Sequence, residues 1–374
     1  MNKEIQKKIV YVGAFELPDK NAAAHRVLNN AKCFRELNMH TIFIDMQKKD
    51  YKKSHEIIYD GIEVYHRKYP KSLLEYLKYG YSIKEIKYIL KMQSNIEYLI
   101  VYNIFSLVFF RLLLYCKINN IKIISDCTEW YSASKYNFVK KLDIFIRMRI
   151  LNKLCDGIIV ISSFLEEYYR KYKTVKVPPL IDENELKWTT NRKSKTDKIV
   201  FSYCGFPEKK EKLDLFINIL SSDKFNKFNF IFYIAGISRI DFCLRYPNVN
   251  TTYFDNKIIF LDMISHQESL NIIKNSDYGI IIREQNRTNN AGFPTKFVEY
   301  ATLGTPVIAS KISDISFYKS NNDIFIDEVS TASIENALTI AFERGKYVNK
   351  LDHSHTFSYK NYITKYKDFI SSLS

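Results

Sequence analysis

An α/β architecture of two doubly wound parallel-sheet domains is the fold this sequence predicts, and three observations predict it. The chain of 374 residues is too long for one ordinary core and suits two domains of roughly 150–200 residues each. Apolar runs of four to seven residues alternate with longer segments of helical period, the pattern of parallel strands buried on both faces. The alternation stops across a polar stretch at 182–197 and then restarts, as a linker between two such units would have it.

In the first half the strand candidates are Lys8–Val12, Thr41–Asp45, Tyr98–Tyr102, Lys122–Ser125, Gly157–Ile161 and Val175–Val177. Each is a short apolar run, rich in β-branched or aromatic residues. Between them Ala22–Leu37, Leu73–Met92, Leu107–Cys116, Phe138–Leu154 and Phe164–Tyr172 carry helical spacing. The stretch Leu99–Cys116 invites a membrane-span reading, but Arg111 stands within it and a central Arg costs about 2.5–3.5 kcal/mol on insertion. A strand, a turn at Asn103–Ser106 and a following helix fit the alternation better.

In the second half the strands are Lys198–Cys204, Phe230–Ala235, Ile258–Phe260, Tyr278–Ile282, Pro306–Ala309 and Ile324–Ile326. Leu213–Leu220, Gln267–Asn275, Thr295–Leu303 and Thr331–Phe342 are the helices between them. The expected divisions are a first domain over 1–181, a linker over 182–197, a second domain over 198–352 and a closing helical segment over 353–374. Open sheets of this kind bind ligands beyond the carboxyl ends of their strands, so two of them facing one another place the expected site in a central cleft.

Composition narrows the function. The chain carries 56 Lys+Arg against 41 Asp+Glu, a net +15. Residues 1–180 hold 31 basic and 18 acidic side chains (+13), against 25 and 23 (+2) in 181–374. A basic first half implies an anionic partner for that domain. The six Cys are dispersed without a Cys-x-x-Cys pair, which points to a reducing compartment and away from zinc. Seven scattered His offer no metal constellation. The N-terminal MNKEIQKKIVYVGAF passes from charge directly into a strand-like run, too short for a signal peptide.

The segment Arg283–Ser310, REQNRTNNAGFPTKFVEYATLGTPVIAS, concentrates the chemistry. Pro294 and Gly304 bracket a helix that begins near Thr295. Gly292 permits close backbone approach, and the free N–H groups of a helix start favour a phosphate. Arg283, Arg287 and Lys296 add positive charge at that end, with Glu299 one turn along the same face. The plainer reading is a capped helix beside a solvated loop with a Lys–Glu pair.

Here the chain resembles glycosyltransferases of the family 4 type, with the two-domain GT-B fold. Gly292-Phe293, Glu299 and Gly304-Thr305-Pro306-Val307-Ile308 match the Gly-Phe turn, the second Glu of a Glu-x7-Glu motif and the strand that follows. The resemblance implies that Glu299 binds the ribose of a nucleotide sugar, with Phe293 and Thr295 in the donor loop. Ala291 stands where the first motif Glu is expected, which bears on donor identity more than on reaction class. The strand-turn-helix segment Ser202–Asp214, with Gly205, is similar to the family's diphosphate loop. Phe206 occupies the expected Arg position, Lys209 and Lys210 can supply the Lys, and Arg283 or Arg287 can replace the missing Arg. An exposed basic turn is the alternative for the two lysines.

In the first domain Gly13 and the helix opening Asn21-Ala22-Ala23-Ala24-His25-Arg26 correspond to a cleft-facing loop in similar enzymes. Ile124–Ser132, ISDCTEWYS, resembles a segment common in polysaccharide-assembling members. Asp126 and Glu129 would orient an acceptor hydroxyl and act in catalysis, and Trp130 and Tyr131 would stack on a sugar. A capped helix start with Trp130 in the core reads equally well. Phe138–Lys153 and Leu73–Met92 mix aromatics with cations, as suits an anionic membrane surface, although sheet-covering helices look the same one at a time.

The expectation is a glycosyltransferase moving a sugar from a nucleotide-diphosphate donor to a saccharide acceptor, lipid-linked given the basic first half. The resemblance implies retention of configuration and a role in cell-surface polysaccharide assembly: capsule, exopolysaccharide or lipopolysaccharide. No cofactor or metal is expected, since Asp-x-Asp is absent and Lys, Arg and helix ends can neutralise the leaving group. The expected location is cytoplasmic, peripheral at the inner face of the membrane. A nucleotide-sugar epimerase of the same fold and a non-catalytic basic binding protein are the alternatives. No nucleic-acid partner is expected, for want of any recognition motif.

Overall fold

The computed structural model describes residues 6–18, 20–47, 54–58, 61–130, 138–189, 196–208, 210–346 and 354–373. It divides into two compact units, one of Met1–Ile181 with Ser358–Ser374, the other of Asp182–Phe357. The first unit is a sheet of β1 (Lys7–Gly13), β2 (Met39–Gln47), β3 (His55–Ile57), β4 (Glu63–Lys68), β5 (Ile96–Tyr102), β6 (Lys122–Cys127), β7 (Gly157–Val160) and β8 (Thr174–Lys176). Their order is β3-β4-β2-β1-β5-β6-β7-β8. Neighbours run parallel except β3 and β4, which pair antiparallel at the edge.

Both faces of this sheet are covered, because adjacent residues of one strand point to opposite sides. On one face Ile9, Tyr11, Tyr98 and Ile100 pack with helix Ala22–Glu36 and the closing helix Ile363–Leu373. On the other, Val10, Val12, Leu99 and Val101 meet helices Lys84–Met92 and Ser106–Ile118. Full burial of each such side chain contributes about 1.5–3 kcal/mol. At β7 a glycine is required: a Cβ on Gly157 would come within 2.6 Å of the Phe369 ring.

The second unit is entirely parallel: β9 (Ile199–Cys204), β10 (Phe230–Ala235), β11 (Ile258–Phe260), β12 (Tyr278–Ile281), β13 (Val307–Ser310) and β14 (Ile324–Ile326). Its order is β11-β10-β9-β12-β13-β14. The strand sequence reverses beside β1 and β5 in one unit and beside β9 and β12 in the other. Such reversals open a crevice at the carboxyl ends of an open sheet.

Three local expectations are corrected. Leu73–Met92 is two helices, Leu73–Tyr81 and Lys84–Met92. Ser82 is extended between them, and its hydroxyl accepts from Lys84 N at 3.4 Å. Strands β3 and β4 escaped the sequence reading because their residues, HEI and EVYHRK, are largely polar and contain no continuous apolar run. Asp182–Thr189 belongs to the second unit, where Lys187 O accepts from Gln267 Nε2. The rest of the polar stretch, 190–195, lies outside the described residues. Among the described residues no helix is long and apolar enough to cross a membrane; Leu99–Cys116 spans the end of β5, a turn and helix Ser106–Ile118.

Candidate functional site

In the second unit the site grows from the carboxyl end of β9. The chain turns at Gly205, whose φ of 121° suits only glycine. A Cβ there would lie 2.7 Å from Lys296 Cε. Gly236, at the end of β10, packs against the Gly205 backbone in the same way, with φ 102°. Two adjacent strand ends are thus stripped of side chains where Lys296 passes.

Lys296 is the second residue of helix Thr295–Thr302, whose preceding Pro294 supplies no side-chain cap. The first N–H groups of that helix therefore have no side-chain acceptor at the cap position. Lys296 Nζ donates to Tyr203 Oη at 2.9 Å and lies 3.7 Å from Glu211 Oε1. Burial pushes its ammonium below the ordinary lysine value, while Glu211 pulls the other way.

Glu211, 2% exposed, organises the cluster. Its carboxylate accepts from Arg283 Nε at 3.0 Å to both oxygens, and from Arg283 Nη2. A bridge between the backbones of Glu211 and Arg283 holds the pair in register. Burial alone would raise the Glu211 carboxyl, but Arg283 and Lys296 hold it below the ordinary carboxylate value. Glu299, one turn beyond Lys296, has Oε1 3.0 Å from His266 Nε2. His266 opens helix His266–Asn275, fixed by a capping box between Ser265 and Glu268.

The structure thus brings Gly205, Arg283, Lys296 and Glu299 together with three residues the sequence reading missed: Tyr203, Glu211 and His266. Glu211 sits inside the quoted Ser202–Asp214 segment, but its role depends on Arg283, far away in sequence. The idea that Arg283 stands in for the missing loop Arg is corrected, because Glu211 holds its guanidinium in a buried pair. Arg287 is exposed at the start of the short helix Arg287–Ala291. The guanidinium of Arg245 lies 4.7 Å over the ring of Phe206, the residue occupying the expected Arg position.

Lys210 Nζ pairs with Glu208 at 3.1 Å, and Lys209 lies outside the described residues. Gly292 is extended, with φ −83° and ψ −176°, so no left-handed turn requires glycine there. The Phe293 ring is buried against Phe297, Tyr318 and Phe357. It shapes the loop from below. Thr295 is half-buried at the helix start.

In the first unit Asp126, expected to orient an acceptor hydroxyl, is engaged in a buried ion pair. It is buried, and Arg26 Nε and Nη2 donate to it at 2.8–3.1 Å. Tyr11 Oη donates to it as well. Arg26 Nη1 also donates to Val177 O at 3.0 Å, so this pair stitches the first long helix to β6 and to the turn after β8. Desolvating two charges is tolerable when each is paired and hydrogen-bonded. Glu129, three residues on, is exposed. Trp130 is buried, edge-on to Tyr168 and Phe164, so the packing alternative describes it. Tyr131 lies outside the described residues.

Gly13 ends β1 against the Phe15 ring and Tyr102 O. Asn21 caps its helix by accepting from Ala24 N at 3.0 Å, and His25 is half-buried in the first turn. The loop after β1 is anchored by a residue without sequence signal: buried Asp45 accepts from the N–H groups of Phe15, Glu16 and Leu17, each at 2.9 Å. Among the described residues no group of His, Cys, Asp and Glu is arranged to hold a metal.

No family model matches the chain, and no curated protein matches it in sequence. Solved structures do. Two doubly wound units with these strand orders define the GT-B fold, and the chain has it. Sucrose-phosphate synthase from Thermosynechococcus elongatus is similar with a TM-score of 0.72 at 12% identity, over 98% of this chain and 99% of that one. HepE of Anabaena, in complex with UDP and glucose, has a TM-score of 0.68 at 11% identity, over 98% and 100%. The lipopolysaccharide outer core galactosyltransferase WaaB, in its apo form, has 0.64 at 15% identity, over 98% and 99%. Likeness at such identities establishes the fold.

Proposed function

We propose that this chain is a glycosyltransferase that takes a sugar from a nucleotide-diphosphate donor bound by the second unit. The observation that carries the reading is the placement of Lys296 by Tyr203, Glu211 and Arg283 over Gly205, at the start of a helix without a side-chain cap. A diphosphate needs concentrated positive charge on a surface that the backbone can approach. Two glycine turns, one ammonium and a set of helix N–H groups provide it. Glu299, held by His266, is the carboxylate for the ribose hydroxyls, and Arg245 beside Phe206 is the second cation for the diphosphate. Solved neighbours include enzymes bound to UDP and to ADP, which supports a nucleotide as ligand.

On this reading Lys296 and the helix start neutralise the departing diphosphate, so the reaction needs no metal. The acceptor is a lipid-linked saccharide, transfer proceeds with retention, and the product belongs to cell-surface polysaccharide. Glu129 is the acceptor-side carboxylate, and Asp126 is a positioning residue that sets the end of β6. Exposed apolar side chains, among them Leu73, Leu74, Leu107, Ile118, Phe138 and Val139, lie in the basic first 180 residues and support a peripheral position on an anionic membrane.

Titration of the full chain with UDP by calorimetry tests the donor site. Lys296→Ala is expected to weaken binding about ten- to hundredfold, the scale of a lost charge-assisted hydrogen bond. Wild-type affinity in that variant rejects the site. Donor epimerised without acceptor would favour the epimerase alternative.

A further inference from the structure

A cavity of about 920 Å³ lies within the first unit, between β4 and helices Leu73–Tyr81 and Lys84–Met92. Its size falls within the usual range for small-molecule sites. Arg67, Lys68, Lys71, Lys78 and Lys84 line it, against the carboxylates of Glu75 and Glu85. Both carboxylates are engaged: Glu85 accepts from Arg67 Nε at 2.9 Å, and Glu75 accepts from Lys71 N at 2.6 Å. Lys68, Lys78 and Lys84 form no salt bridge with a described residue. Tyr65, Tyr69, Tyr79 and Tyr88 also line it, with His55 stacked on Tyr65 and Arg67 over the ring of Tyr79. The cavity is therefore cationic and aromatic.

The helix that forms its rim is unusual, since none of its nine residues is buried. Glu75, Lys78 and Tyr79 turn one face to the cavity, while Leu73, Leu74 and Leu77 on the other are 76%, 78% and 59% exposed. Three adjacent leucines in water need a cover. An occupant that satisfies both faces has an anionic, saccharide-compatible head and an apolar tail.

We infer that this cavity holds the phosphate-bearing head of a membrane glycolipid, the acceptor of the proposed transfer, while the leucine face of Leu73–Tyr81 rests in the bilayer. The unpaired lysines take the phosphate, the exposed Tyr88 offers its ring to the sugar, and the tail leaves along the leucines. The inference rests on the transferase reading for the word acceptor, and on the cavity for everything else.

Farnesyl diphosphate, farnesol and inorganic pyrophosphate, each titrated into the full chain with UDP in parallel, test it. Farnesyl diphosphate is expected to bind at least about tenfold more tightly than either fragment, and Lys68→Ala with Lys84→Ala to remove that advantage. Sedimentation with vesicles of about four parts phosphatidylcholine to one part phosphatidylglycerol is expected to capture the wild type and lose Leu74→Ser with Leu77→Ser. Equal binding of pyrophosphate and farnesyl diphosphate, wild-type affinity in the lysine variant, or unchanged vesicle capture in the leucine variant overturns the inference. UDP binding with a silent cavity rejects it alone. Farnesyl diphosphate binding without UDP binding rejects the transferase reading and leaves the lipid site standing.

Discussion

At the scale of single residues the proposed donor site depends on Gly205 and Glu211. Gly205→Ala adds a methyl 2.7 Å from Lys296 Cε at a φ of 121°, so both the turn and the lysine must shift. The expected result is a folded protein with at least about tenfold weaker UDP binding, since the strain falls on the turn proposed to hold the diphosphate. The Glu211 carboxyl is held below its ordinary value of 4.5. Its contribution to stability is therefore full above that pH and is lost as pH falls through the lower folded-state value. The stability advantage of wild type over Glu211→Gln, followed by thermal unfolding from neutral pH downward, should shrink only below about pH 4.5. A constant advantage across that range would contradict the assignment. Arg245→Ala should weaken UDP binding with little change in thermal midpoint, because the guanidinium rests on the half-exposed Phe206 ring.

At the scale of elements, the caps explain how His266 and Glu299 come to face one another. Ser265 accepts from Glu268 N and the Glu268 carboxylate accepts from Ser265 N, which sets where His266 starts its helix. Ser265→Ala should cost about 1 kcal/mol, measurable by urea unfolding, and should lower UDP affinity through His266. Unchanged affinity would separate His266 from the proposed role of Glu299. Most elements were legible from periodicity: buried strands such as β1, β5 and β9 are apolar runs that no exposed segment imitates. The largely polar strands β3 and β4 were not: β3 is a three-residue edge strand without two-sided burial, and β4, inside it, alternates buried and half-buried residues in place of a continuous apolar run. The break at Ser82 was hidden by a hydrophobic pattern that continues across it.

At the scale of the whole molecule, the chain end completes the first unit. Tyr366, Phe369, Ile370 and Leu373 are buried in its core, and Tyr366 meets Phe34 with ring centroids 4.7 Å apart. A chain ending at residue 353 should lose several kcal/mol of apolar burial. Its first unit should melt of the order of 10 °C lower, seen by differential scanning calorimetry. An unchanged profile would mean that the closing helix contributes little.

Two alternating α/β units and a basic first half were legible in the sequence, because hydrophobic period and charge count are read directly from the residues along it. Only the tertiary structure decided what Asp126, Arg283 and Trp130 do. Each looked available for chemistry in its local segment, and each is consumed by a partner: Asp126 by Arg26, 100 residues away, Arg283 by Glu211, 72 residues away, and Trp130 by Tyr168. A buried charge must find its counter-charge wherever the fold brings one. That pairing is a property of the folded chain, with no trace in the spacing of neighbouring residues.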